Sequence, residues 1–274
     1  MSYKTILVHV DESSHASERI KIAAAIAMTE NAHLIGTAVT GASRYLPRGS
    51  VLADVDPRLS APLDFLQDRA IRGLEEFESA VQMLGLPSFE KRLVDDEAGG
   101  GICLQARYAD LVVIGQNDPQ EATPLVMPDF PQYVVLHCRR PVLLVPHDGR
   151  FDTIGKRVLV AWDASMEATR AVGDAIPLLR RAHTVEVATF NSDANRQPGA
   201  EIAQYLKRHG IQTELLQRRT DGNVGAALLA LAAELGCDLL IMGGYGHLRF
   251  REIVLGNATQ TVLASMTIPV MMSF

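Results

Sequence analysis

Apolar and polar positions follow two alternating periods along the chain. Runs rich in aliphatic and β-branched residues occur at Tyr3–Val10, His33–Thr40, Phe89–Val94, Leu111–Gly115 and Val142–Val145. They recur at Arg157–Trp162, Thr184–Phe190, Ile211–Leu216, Cys237–Ile241 and Pro269–Met272. Runs of this length and composition predict strands, most of them buried on both faces. Between them apolar residues return at helical spacing, as Ile20, Ala23, Ala24, Ala27 and Met28 do after Ser13 and Ser14, two residues able to cap that helix. Further helices are predicted over Leu63–Leu84, Gly101–Tyr108, Gln132–His137, Ser165–Arg181, Ala200–His209, Asn223–Leu235 and Ala258–Ala264, the last with Asn257 as its N-cap. Positions 41–60 break both periods, carry Pro47, Gly49 and Pro57, and read as a long surface loop.

The pattern then repeats. Asp11 matches Asp163 at an offset of 152, each ending a strand and each followed two residues later by a serine. Asp110 matches Asp238, Gly115 matches Gly243 and Pro141 matches Pro269, all at an offset of 128. Two copies of alternating strand and helix imply parallel sheets wrapped by helices, with right-handed crossovers. The expected domains are 1–147 and 156–274, joined by the polar stretch His147–Lys156. A chain of 274 residues with 47% hydrophobic content has enough apolar material for two cores.

Charge and cysteine content narrow the function classes. A formal net charge of −6 argues against nucleic acid or an anionic membrane as partner. Cys103, Cys138 and Cys237 are far apart in sequence and read as reduced thiols of a cytoplasmic protein. The amino-terminal residues enter a strand directly, so no signal peptide is expected. No apolar run approaches the length that spans a bilayer. The eight histidines are scattered without metal-ligand spacing, and no hydrolase elbow or kinase motif occurs.

The candidate chemistry lies at 242–259. A glycine-punctuated loop leaves the carboxyl end of a buried strand and enters a helix N-terminus, with Gly243, Gly246 and Gly256 bringing bare backbone amides to one place. Unpaired amides and the positive end of a helix favour phosphate. In an open α/β sheet, ligands sit beyond the carboxyl ends of strands, where Asp163 also stands. An adenosine phosphate fits: Asp163 meets a ribose hydroxyl or the base, and the amides near Gly246, Gly256 and Asn257 hold phosphate. Arg249 and Arg251 either add positive charge or form a solvated loop face. In the first copy the same register places Asp118, Pro128 and Asp129 opposite Gly246, Gly256 and Asn257. Acidic groups and a residue without an N–H would repel phosphate there. Only the second copy is therefore expected to bind nucleotide.

The spacing Gly243-x2-Gly246-x9-Gly256-Asn257, the strand-Asp-x-Ser starts at Asp11 and Asp163, and the Pro-Val final strands at Pro141 and Pro269 resemble the universal stress protein family. The resemblance spans both copies. It implies two tandem three-layer α/β/α domains, each a mostly parallel, Rossmann-like five-stranded sheet. It also implies ATP or AMP as ligand, with or without magnesium, on Asp163, Gly243, Gly246, Gly256 and Asn257, with Phe190 beside adenine. Asn257 departs from the usual hydroxyl residue, and Trp162 is bulkier than the usual residue before the aspartate. Family members pair through their last strands, which implies an internal pseudo-dimer here and leaves a homodimer open. The functions carried forward are a nucleotide-binding stress-response regulator acting with a protein partner rather than by catalysis, a slow ATPase, and a nucleotide-free interaction or carrier module.

Overall fold

A computed structural model of the chain describes residues 2–41, 60–118, 129–191, 199–245 and 258–274. Most of the loop expected at 41–60, and the phosphate loop from 246 to 257, lie outside these residues. By internal contacts the chain divides into Tyr3–Cys138 and Arg139–Phe274.

In the first unit the strands are β1 (Thr5–Val10), β2 (His33–Val39), β3 (Phe89–Val94) and β4 (Leu111–Gly115). They run parallel in the order β3-β2-β1-β4, with Thr5 opposite His33 and Ile6 opposite Leu111. Ile6, Leu7, Val8, Val112 and Val113 are fully buried, which is why these stretches are apolar without alternation. The helices are α1 (Ala16–Glu30), α2 (Ser60–Met83), α3 (Ala98–Gln105) and α4 (Phe130–His137). Gly36 in β2 accommodates α2: a Cβ there would stand 2.5 Å from the ring of Phe77, a fully buried side chain.

The second unit holds β5 (Val142–Val145), β6 (Arg157–Ala161), β7 (Thr184–Phe190), β8 (Glu214–Arg218), β9 (Leu239–Gly243) and β10 (Val270–Ser273), in the order β5-β10-β9-β6-β7-β8. All neighbours are parallel except β5, which runs antiparallel to β10 with Leu143 opposite Met271. Its helices are α5 (Met166–Leu179), α6 (Ala200–Arg208), α7 (Val224–Leu235) and α8 (Ala258–Ser265).

Two expected boundaries shift, and one expected cap is not made, for physical reasons. The strand expected at Ile211–Leu216 is Glu214–Arg218, because Ile211 closes α6 instead. Its N–H donates to the Leu206 carbonyl at 3.0 Å and that of Gly210, at φ 80°, to Lys207, the paired bonds of a Schellman cap. Cys237 closes α7 in the same way through Ala232, with Gly236 at φ 63°, so β9 begins at Leu239. Finally, neither Ser13 nor Ser14 caps α1, whose first turn follows His15 without a side-chain cap. The Ser13 hydroxyl donates to Asp11 Oδ1 at 2.5 Å.

Candidate functional site

Each unit has one point where strand order reverses. In the first unit β1 is followed by β2 on one side and joined by β4 on the other, and Asp11 and Gly115 stand at the carboxyl ends of that pair. In the second, β6 and β9 form the equivalent pair, ending near Asp163 and at Gly243. Crevices at such points are where open α/β sheets bind ligands.

The first crevice is occupied by the protein's own cation. Arg19, one turn into α1, is 3% exposed. Its Nε donates to the His9 carbonyl at 2.7 Å and its Nη2 to Asp11 Oδ1 at 2.8 Å. A Cβ on Gly115 would stand 2.5 Å from Arg19 Nη1, so glycine at the end of β4 leaves room for the guanidinium. Burial opposes ionisation of Asp11, yet Arg19, His9 and the Ser13 hydroxyl outweigh it and hold the carboxyl far below its ordinary range. Burial lowers His9 to about 4, against the pull of Asp11 and with the help of Arg19, so its ring is neutral at pH 7. His9 packs on Phe130, with ring centres 5.0 Å apart. His15 Nε2 lies 3.0 Å from Asp118 Oδ2 and 3.1 Å from Ser14 Oγ. Serine and carboxylate thus meet the same ring nitrogen, whereas a nucleophilic relay needs one on each. The remaining cavity, about 60 Å³, suits a few water molecules.

The second crevice has different contents. Ala171 holds the position of Arg19 at the 152-residue offset and is fully buried. Asp163 is exposed, and its Oδ1 accepts from the Ser165 N–H at 2.9 Å. Ser165 caps α5 by accepting from Ala168 N at 3.1 Å. Phe190, half-buried, is the last residue of β7, two positions beyond Ala188, which pairs with Ala161 of β6. Gly243 makes a close approach: a Cβ there would lie 2.6 Å from Ala168 N and 2.8 Å from the Glu167 carbonyl carbon. Its lack of a side chain therefore seats α5 against β9. Gly246, Gly256 and Asn257, with His247, Arg249 and Arg251, fall outside the described residues, but both ends of their loop are held. Gly244 N donates to Ser273 O at 2.9 Å, and Tyr245 N to Thr259 Oγ1 at 3.0 Å in the first turn of α8. Gly225 admits the start of α8 against α7, its Cβ position lying 2.5 Å from Ala258 O.

Sequence reasoning missed Arg19, Ala171, His15 and Thr259. The first two were accessible, because aligning the copies at 152 sets a cation against a methyl group. It also missed three left-handed residues without the freedom of glycine, Ala164 (φ 60°), Asn191 (φ 53°) and Tyr245 (φ 57°). They follow β6, β7 and β9 at their carboxyl ends, and backbone of this kind concentrates at functional sites.

The family model described as "Universal stress protein family" matches residues 2–146 and 155–273. The chain belongs to the universal stress protein family. Universal stress protein Slr1230 of Synechocystis sp. (strain ATCC 27184 / PCC 6803 / Kazusa) is 31% identical over 139 residues, 48% of this chain and 46% of that protein. The match thus spans less than half the length of that curated relative. Among solved structures, a universal stress protein from Archaeoglobus fulgidus DSM 4304 aligns with a TM-score of 0.73 at 17% identity, covering 97% of each chain. A functionally unknown protein from Pseudomonas aeruginosa PAO1 aligns with a TM-score of 0.58 at 15% identity, over 98% of this chain and 92% of its own. These likenesses show the fold. In this universal stress protein the two copies share the crevice and differ in what fills it. Among the described residues no helix is long and apolar enough to cross a membrane.

Proposed function

We propose that the protein binds an adenine nucleotide, ATP or AMP, in its C-terminal copy and acts in the cytoplasm as a stress-response regulator rather than as a catalyst. The observation that supports this reading is the exchange of Arg19 for Ala171. A guanidinium that neutralises the strand-end aspartate in one crevice is a methyl group in the other, and there the carboxylate is exposed. In this reading Asp163 accepts from the ribose hydroxyls and Phe190 lies against the adenine ring. Gly243 sets the position of α5, and with it Asp163. The amides of Gly246, Gly256 and Asn257 hold phosphate at the start of α8, where the helix dipole adds to their attraction. A bound nucleotide then biases which partner the surface around the loop accepts.

Calorimetric titration of the full chain with ATP and with AMP tests this, alongside Asp163→Ala and Gly246→Asp. The native chain is expected to bind. The first variant loses a charge-assisted hydrogen bond, and the second puts a carboxylate among the phosphate amides. Each should weaken affinity at least about tenfold, since such bonds are worth about 1.5–3 kcal/mol. Equal affinity in all three proteins would remove this crevice from the account.

A further inference from the structure

Cys103 and Cys138 are remote in sequence and adjacent in the fold. Cys103 lies on α3, and Cys138 is the residue that ends α4. The two helices pack closely: a Cβ on Gly99, one turn before Cys103, would stand 2.6 Å from Cδ1 of Tyr133. Cys103 and Cys138 follow these two contact residues by four and five positions, and the two thiols are hydrogen-bond neighbours. Cys138 is buried and Cys103 half-buried, so Cys103 is the more exposed of the two. Cys237 stands apart in the other unit, its Sγ 3.9 Å from Glu186 Oε2. Neither Cys103 nor Cys138 has a role in the nucleotide reading.

We propose that Cys103 and Cys138 are a site of reversible oxidation, joining as an intramolecular disulfide when the protein meets a hydroperoxide. The Cys103 sulfur attacks the outer peroxide oxygen, the O–O bond breaks, and the products are a sulfenic acid and the alcohol or water left by the peroxide. The Cys138 sulfur then attacks the Cys103 sulfur; the S–S bond forms, the S–O bond breaks, and the second thiol proton leaves with the hydroxyl as water. Two thiols lose two electrons and two protons, and one hydroperoxide is reduced. The contact with Cys138, and then burial, push the Cys103 thiol well above its ordinary value. Since the thiolate is the reactive form, this slows the first step. The bond would tie α3 to the end of α4, whose Phe130 and Pro131 line the crevice around His9.

The test exposes the folded full-length chain to hydrogen peroxide, unfolds it in an alkylating agent, and maps the cysteines by peptide mass spectrometry. The expected product is a Cys103–Cys138 peptide pair lacking two hydrogens, reversed by dithiothreitol, with Cys237 still alkylated. A Cys237→Ser chain should give the same product and Cys103→Ser none, with circular dichroism confirming that each variant is folded. Three results would overturn the proposal. One is Cys103 recovered as sulfinic acid with Cys138 alkylated, and another is a disulfide between chains. The third is both thiols intact after an exposure that oxidises the unfolded chain.

Discussion

Arg19 and Ala171 share a register but set opposite conditions for the aspartate at the end of the neighbouring strand. Beside Arg19, burial is tolerable for Asp11 because a cation lies 2.8 Å away, and His9 is kept neutral behind it. That arrangement makes the first unit sensitive to acid. The folded value of His9 is about 4, below the ordinary histidine value of 6.5. As pH falls from 6.5 towards 4, the unfolded chain takes up a proton that the folded chain refuses. Stability should fall by up to about 3 kcal/mol across that window. Asp11, also depressed, contributes stability above its unfolded value that is lost as pH drops lower still. Urea unfolding at pH 7 and at pH 4.5 should show the decline, and His9→Gln should flatten it; an unchanged slope would exclude His9 as its source. The positions of Asp11 and Asp163 beyond the carboxyl ends of buried strands were readable in the sequence, because the apolar run of each strand stops there. Arg19 was passed over, because a helical arginine is ordinarily read as solvated, although the 152-residue register sets it against Ala171.

At the scale of elements, two glycines of the second unit have opposite meanings. Gly243 ends β9 against the backbone of α5, where a Cβ would meet Ala168 N at 2.6 Å and could be relieved only by moving the helix. Gly173 lies within α5 with nothing within 4 Å of its Cβ position. Gly243→Ala should therefore destabilise by about 1–3 kcal/mol, as overpacking does. Gly173→Ala should stabilise by about 0.5–1 kcal/mol, because alanine has less backbone freedom to lose in a helix. Thermal unfolding of the two variants separates these effects, and a shift of the same sign in both would refute the assignment of Gly243 to packing. Gly243 read in the sequence as room for a ligand, since the chain alone does not show what lies beside a glycine. Element type was legible almost throughout, from apolar runs and helical spacing. Boundaries failed where an apolar residue served a helix cap, as Ile211 and Cys237 do, because hydrophobicity alone does not distinguish a capping residue from the first residue of a strand.

At the scale of the molecule, the repeat was legible because register survives where chemistry does not: Asp110 and Asp238 each accept from the backbone that begins β1 or β6. Contacts between distant segments leave no periodic trace: the meeting of Cys103 with Cys138 was not legible, and the pairing of the two last strands, observed between β5 and β10, was expected only from the family resemblance. If oxidation closes the 35-residue separation between those cysteines, chain entropy should stabilise the oxidised form by about 4 kcal/mol. The nucleotide reading has a consequence of its own at this scale, a stoichiometry of one. In the first copy Arg19 is committed to Asp11, and Asp118 and Asp129 stand at the register of the phosphate loop. Native mass spectrometry with excess ATP should show a single nucleotide per chain. At about 100 times Kd, binding should stabilise the native state by about 2.7 kcal/mol. Hydrogen exchange should slow in β6, β9 and the start of α8 and stay unchanged in β1 and β4. Two nucleotides per chain, or protection centred on β1 and β4, would mean that Arg19 yields to the ligand and that the difference between the copies has another purpose.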